Sequence, residues 1–99
     1  MNEKEESLKL PHETTLINAS KLSIQEDKPI MLDYWMDSCD SNASVMIGVK
    51  TNDEKLLVRS SEEFTSPISK IYRVSEDYII MTENSIYVVS SNIPTRRIS

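Results

Sequence analysis

The rhythm of apolar positions changes at Pro29. Downstream of it, apolar side chains recur at every second residue, the signature of pleated strands with one face turned to a core. In residues 30–37, Ile30, Leu32, Tyr34 and Met36 share one face, while Met31, Asp33, Trp35 and Asp37 share the other. Residues 38–44 are polar and read as a loop. Alternation resumes in 45–51, with Val45, Ile47 and Val49 on one side and Gly48 and Lys50 opposite. Asn52 and Asp53 supply turn chemistry, and 55–60 returns with Leu56 and Val58 on a common side, which predicts a hairpin.

Residues 60–63, Ser-Ser-Glu-Glu, fit one capped helical turn or a loop. After Pro67, residues 68–74 alternate irregularly, and 75–77 form a turn. Residues 78–82 and 85–90 then make a second predicted hairpin across Glu83 and Asn84, because Asn tolerates the left-handed backbone of a tight connection. Upstream of Pro29, Leu16, Ile17, Ala19, Leu22 and Ile24 suit a strand and a short helix equally, until 26–29 stops either one. Residues 1–13 mix charges with Ser and are broken by Pro11, predicting a mobile arm.

Short strands, polar turns and no long amphipathic helix predict an all-β fold. The expected architecture is a small antiparallel barrel or sandwich of about five to six strands. The expected organisation is an arm at 1–13, one β domain at 14–95 and a C-terminal tail at 96–99. The single glycine, Gly48, marks a bulge or a place where another backbone comes close, so turns must rest on Asn, Asp and Ser.

Composition narrows the function classes. The chain has 99 residues, enough for one small domain whose core is thin, so self-association is a natural way to bury more surface. Eleven basic against 16 acidic residues give a formal charge of −5, which argues against nucleic acid as the partner. The start carries no apolar signal core and the apolar runs are too short for a bilayer, so a cytoplasmic protein without a membrane partner is expected. The sequons at Asn18 and Asn42 are then not expected to be glycosylated. The lone Cys39 allows no internal disulfide.

Site chemistry is sparse. The only imidazole, His12, falls in the expected arm, so no base stands beside a Ser or Cys nucleophile. One His and one Cys are too few for an all-protein zinc site. Asp33, Asp37 and Asp40 are the densest carboxylates, yet they lack an EF-hand order and read as solvated. One glycine cannot build a phosphate loop. No enzyme, cofactor or metal is expected.

Three features are candidates for binding. Trp35, between Asp33 and Asp37, points away from the apolar face of its predicted strand; with Tyr34 and Asp37 it marks a contact surface along the 34–38 edge, unless the strand is covered on both sides. Thr65-Ser66-Pro67 and Thr82-Glu83-Asn84-Ser85 cluster hydroxyl and amide groups; Thr65, Ser66, Asn84 and Ser85 suit a polar ligand, or close their own turns. Arg96 and Arg97 suit phosphate or carboxylate recognition, or form a solvated basic tail, and with Ile98-Ser99 they also match a basophilic kinase pattern.

The run from Lys28-Pro29-Ile30 through Asp33-Tyr34-Trp35 and Asp37-Ser38 to Ile47-Gly48-Val49 carries a resemblance, as do Phe64-Thr65-Ser66-Pro67-Ile68 and Thr82-Glu83-Asn84-Ser85-Ile86-Tyr87. Over about residues 28–93 the chain resembles small all-β proteins of phages and large DNA viruses. Some compact phage β proteins of this build are oligomeric anti-defence sponges for cyclic nucleotide signals, as in the anti-Thoeris group. The resemblance implies a viral β-barrel binding module in the host cytoplasm, acting through contacts with host or viral proteins and with its own copies. A sponge for a small phosphorylated or cyclic nucleotide and a minor virion protein are the alternatives, since fold analogy alone does not assign function.

Overall fold

A computed structural model describes residues 9–40 and 45–98. Helix α1 (Glu13–Glu26) is followed by β1 (Ile30–Met31) and a short helix α2 (Trp35–Cys39). Then come β2 (Met46–Val49), β3 (Lys55–Ser60), β4 (Glu63–Phe64) and β5 (Ile68–Val74). The chain finishes through β6 (Asp77–Thr82), β7 (Ile86–Ser90) and β8 (Thr95–Arg97).

The eight strands form two mixed four-stranded sheets. The first has the order β1-β7-β6-β5 and the second β4-β3-β2-β8. Both hairpins expected from the sequence are present, as β2–β3 and β6–β7. Two parallel pairs, β1 with β7 and β2 with β8, join segments distant in sequence, which no local pattern announces. Each sheet keeps its own edges, so the sheets are not closed into a barrel.

Two cores follow from the pleat of β6 and β7. Ile80 and Val89 face the second sheet and meet Ile47 and Leu57, with Tyr34, Val45 and Ile93 closing the cluster. Ile79, Met81, Ile86 and Val88 face the opposite way, against Ala19 of α1 and Trp35 of α2. The first sheet is therefore covered on both faces, and its central strands read as near-continuous apolar runs for that reason.

Residues 14–24, open between helix and strand on pattern alone, are helical. Thr15 and Ala19 are both fully buried while Ile17 between them is 48% exposed, a pattern that helical spacing gives and a strand face of 15, 17 and 19 would not. His12 offers no side-chain cap. The cap comes instead from across the fold: the buried Asp77 carboxylate accepts from the His12 N–H at 3.0 Å and the Thr15 hydroxyl at 2.8 Å. The helix ends at Asp27, whose φ of 56° is left-handed, with the Lys28 N–H returned to the Ser23 carbonyl.

Several expectations need correction. The fold is mostly β but not all-β, and it has more strands than the five to six expected. The strand predicted over 30–37 stops at Met31, because β1 pairs with β7 only through Ile30↔Ile86 and Met31↔Tyr87. The chain then turns at 33–34, where the Trp35 N–H binds the Leu32 carbonyl, and winds into α2. The period of two in that stretch was coincidence with a short helix.

Asn84 is not left-handed; the positive-φ residues are Asp27, Asp53 and Ser75. The β6–β7 turn is closed instead by the Thr82 hydroxyl, which accepts from the Asn84 and Ser85 N–H groups. Residues 61–62 form a turn rather than a helix. Arg96 and Arg97 are not in a free tail but in β8. The expected arm lies outside the described residues up to position 8, as do loop residues 41–44 with the sequon at Asn42, and Ser99. Among the described residues, no helix is long and apolar enough to cross a membrane.

Candidate functional site

The second sheet has one face in the core and one face that no helix among the described residues covers. In β2 and β3 the register sets Ile47 against Leu57, both pointing inward. Side chains alternate, so the neighbouring pairs Met46↔Val58 and Gly48↔Leu56 point outward. Phe64 of β4 joins them opposite Val58, and Ile98 continues from β8, its N–H bound to the Val49 carbonyl at 2.9 Å. These residues line a groove of about 560 Å³. Leu56 and Val58 form its floor, while Phe64 is 55% exposed and Ile98 38% exposed at its sides.

Gly48 has a definite part in this surface. A Cβ there would lie 2.7 Å from Cδ1 of Ile98, 3.0 Å from its Cγ2 and 3.1 Å from Cγ2 of Val58. The missing side chain lets Ile98 lie across the sheet. The close approach expected at Gly48 is therefore made by a side chain rather than a backbone. The β2–β3 register is unbroken there, so no bulge is involved.

The ends of the groove differ in charge. Lys50 lines one end, beside β8 with its two arginines, and is held loosely by Glu54 at 3.7 Å. Ser60 and Ser61 line the other end, followed by exposed Glu62, whose N–H binds the Ser60 hydroxyl. An apolar centre between a basic and an acidic end is the layout of a protein-contact surface.

The residues singled out from the sequence are distributed elsewhere. Trp35 is 3% exposed, and its indole N–H donates to the Lys9 carbonyl at 2.7 Å, so it is a core residue under α1 and not an outward contact. The alternative of a segment covered from both sides is what the structure has. Tyr34 is buried as well, its ring 5.5 Å from that of Tyr87 and beneath the Arg59 guanidinium. Asp37 accepts from Arg59 Nε at 2.8 Å, and Arg59 also reaches Glu63 at 3.4 Å, tying α2 to the second sheet. Burial, with the Glu63 charge second, pushes the Tyr34 phenol above its ordinary value, against a smaller opposing pull from Arg59.

The hydroxyl clusters close their own turns. Thr65 is buried; its hydroxyl accepts from the Leu57 N–H and donates to the Ser66 carbonyl. Asn84 Nδ2 reaches the Ser66 hydroxyl at 3.4 Å, so the fold does bring the two clusters together, at a corner remote in sequence. Arg96 and Arg97 lie in the second sheet, and Arg97 donates to the Lys50 carbonyl at 3.4 Å. His12 stands at the start of α1, 3.9 Å from Glu76. Among the described residues, no group of three His, Cys, Asp or Glu side chains is placed to hold a metal ion.

The outer groove itself escaped sequence reading. The signal was present in Leu56-Leu57-Val58, three apolar residues in a row on a predicted hairpin strand. Such a run means a strand that is apolar on both faces. No family model matches the chain, and no curated protein or solved structure does either.

Proposed function

We propose that the protein is a non-catalytic binding module, a β-sandwich that acts in the cytoplasm through protein contacts, beginning with a second copy of itself. The observation that carries this reading is the apolar groove on the outer face of the second sheet, which no helix among the described residues covers, with Phe64 and Ile98 exposed at its sides. The charge layout selects the occupant. Two copies stacked face to face about a two-fold axis that runs across the strands set the Lys50 end of each over the Glu62 end of the other. We further propose that the chain is one of the small viral or phage β proteins, and a host or viral protein would use whatever surface the dimer leaves free.

Size sets the strength. Four strands about 4.8 Å apart, with a rise of about 3.3 Å per residue, give a face of roughly 300–400 Å². A standard interface takes about 800 Å² from each partner, so the dimer is transient, with a dissociation constant on the order of micromolar or weaker. Sedimentation equilibrium over a concentration series tests this. The expected result is a monomer–dimer equilibrium that Phe64→Asp shifts by at least about tenfold, because the symmetric interface carries the substitution twice. A wild-type chain that stays monomeric at millimolar concentration would remove the proposal.

A further inference from the structure

A second surface lies on the first sheet and is independent of the groove. Strand β5 ends that sheet, pairing only with β6 among the described residues. It is seven residues long, the longest strand among the described residues. A two-residue turn, with Ser75 at φ 55°, makes Val74↔Asp77 the closing pair of the hairpin. In antiparallel pairing, hydrogen-bonded and non-bonded pairs alternate, so Ile71 and Arg73 turn their N–H and C=O groups away from β6. They offer a free ladder to another strand.

Next to that edge is a cavity of about 240 Å³ between α1 and the sheet. Its floor is Tyr72, Val74 and Ile79, and its wall is Leu22 with Lys21 and Gln25. Helix α1 packs over β1, β6 and β7 and touches β5 through the Thr15 hydroxyl, which donates to the Val74 carbonyl at 3.2 Å; the cavity lies farther along, beside Tyr72. A strand added beyond β5 would therefore place alternate side chains at this opening. The edge is basic: Lys21 lines the cavity, Lys70 stands on the same face of β5, and Arg73 stands on the other face, and none of them enters an ion pair among those seen in the described residues. On a chain of charge −5 this is a local reversal. It also disfavours a second copy, whose own β5 would bring the same positive charges to the seam.

We infer that the free edge of β5, with the cavity beside it, accepts an extended peptide segment of alternating apolar and acidic residues from a partner protein. Main-chain hydrogen bonds to Ile71 and Arg73 supply the register, and the apolar side chains enter the cavity over Tyr72 and Val74. The acidic side chains alternate to the other face, where Arg73 stands, while Lys21 and Lys70 add positive charge on the cavity side.

The probe is a ten-residue peptide alternating valine and glutamate, compared with its valine–lysine counterpart. Amide exchange is followed by NMR on the full chain and on the Phe64→Asp variant, which separates this edge from self-association. The glutamate peptide should slow exchange at Ile71 and Arg73 in both proteins, and the lysine peptide should bind at least tenfold more weakly. Ile71→Pro removes an N–H that the fold itself does not use, so it should keep the thermal transition while abolishing binding. Lys70→Glu with Arg73→Glu should reverse the peptide preference. Unchanged exchange at both amides at millimolar glutamate peptide, or equal binding of the two peptides, overturns the inference.

Discussion

The outward faces of the two sheets are built from the same kinds of residue and end differently. On the first sheet, Ile79, Met81, Ile86 and Val88 are sealed beneath Ala19 and Trp35. On the second, among the described residues, Met46, Leu56 and Val58 are crossed by Ile98 and flanked by Phe64, with no helix above them. The difference teaches where the chain spends its helices. Strands apolar on both faces need two covers, and the described chain provides a helical cover for one sheet alone. The remaining apolar face is the natural place for a second molecule.

Substitution on the two faces should separate their roles. Trp35→Ala opens a cavity under the helical cover and removes the indole bond to Lys9, and should cost about 3–5 kcal/mol of folding stability in urea denaturation. A loss below about 1 kcal/mol would mean that α2 is not a working part of the cover. Phe64→Asp, by contrast, should leave monomer stability within about 0.5 kcal/mol while weakening association.

Gly48→Ala sharpens the contrast on the open face. The new methyl must push Ile98 aside, and because that side chain stands at the margin of the sheet, the stability change should stay within about 1 kcal/mol. The dimer should weaken several-fold, since Ile98 forms one side of the groove. An unchanged dimer in sedimentation would place the contact away from Ile98.

The smallest effect concerns pH. Burial raises the phenols of Tyr34 and Tyr87 above their ordinary 10.0. A folded state that holds protons more tightly than the unfolded one keeps this stabilisation in full below pH 10, and loses it as pH rises through the folded values. Thermal transitions should therefore be flat with respect to these two groups at neutral pH and fall on the alkaline side, together with phenolate absorbance. A fall that precedes phenolate formation would assign the loss to other groups.

Much of this fold was legible because hairpins are local. The β2–β3 and β6–β7 pairs follow from alternation and turn residues, and Asp53 and Ser75 take left-handed positions that a glycine-poor chain must give to such residues. Long-range choices were not legible. The helical state of α1 is completed by Asp77, more than sixty positions away, and β8 exists because β2 offers it a parallel edge. Trp35 was misread because a five-residue helix is too short to impose its own period on the pattern. The open groove was hidden for a related reason: alternation reports which residues share a face but not which face finds a cover.

The most direct measurement is a dilution series of the wild-type chain followed residue by residue in heteronuclear NMR spectra. Concentration-dependent shifts gathered on Met46, Leu56, Val58, Phe64 and Ile98, with α1 unmoved, are the result predicted here. Shifts centred on α1 or the β5 edge, or spectra identical from micromolar to millimolar, would contradict the assignment of the bare sheet face to a second copy.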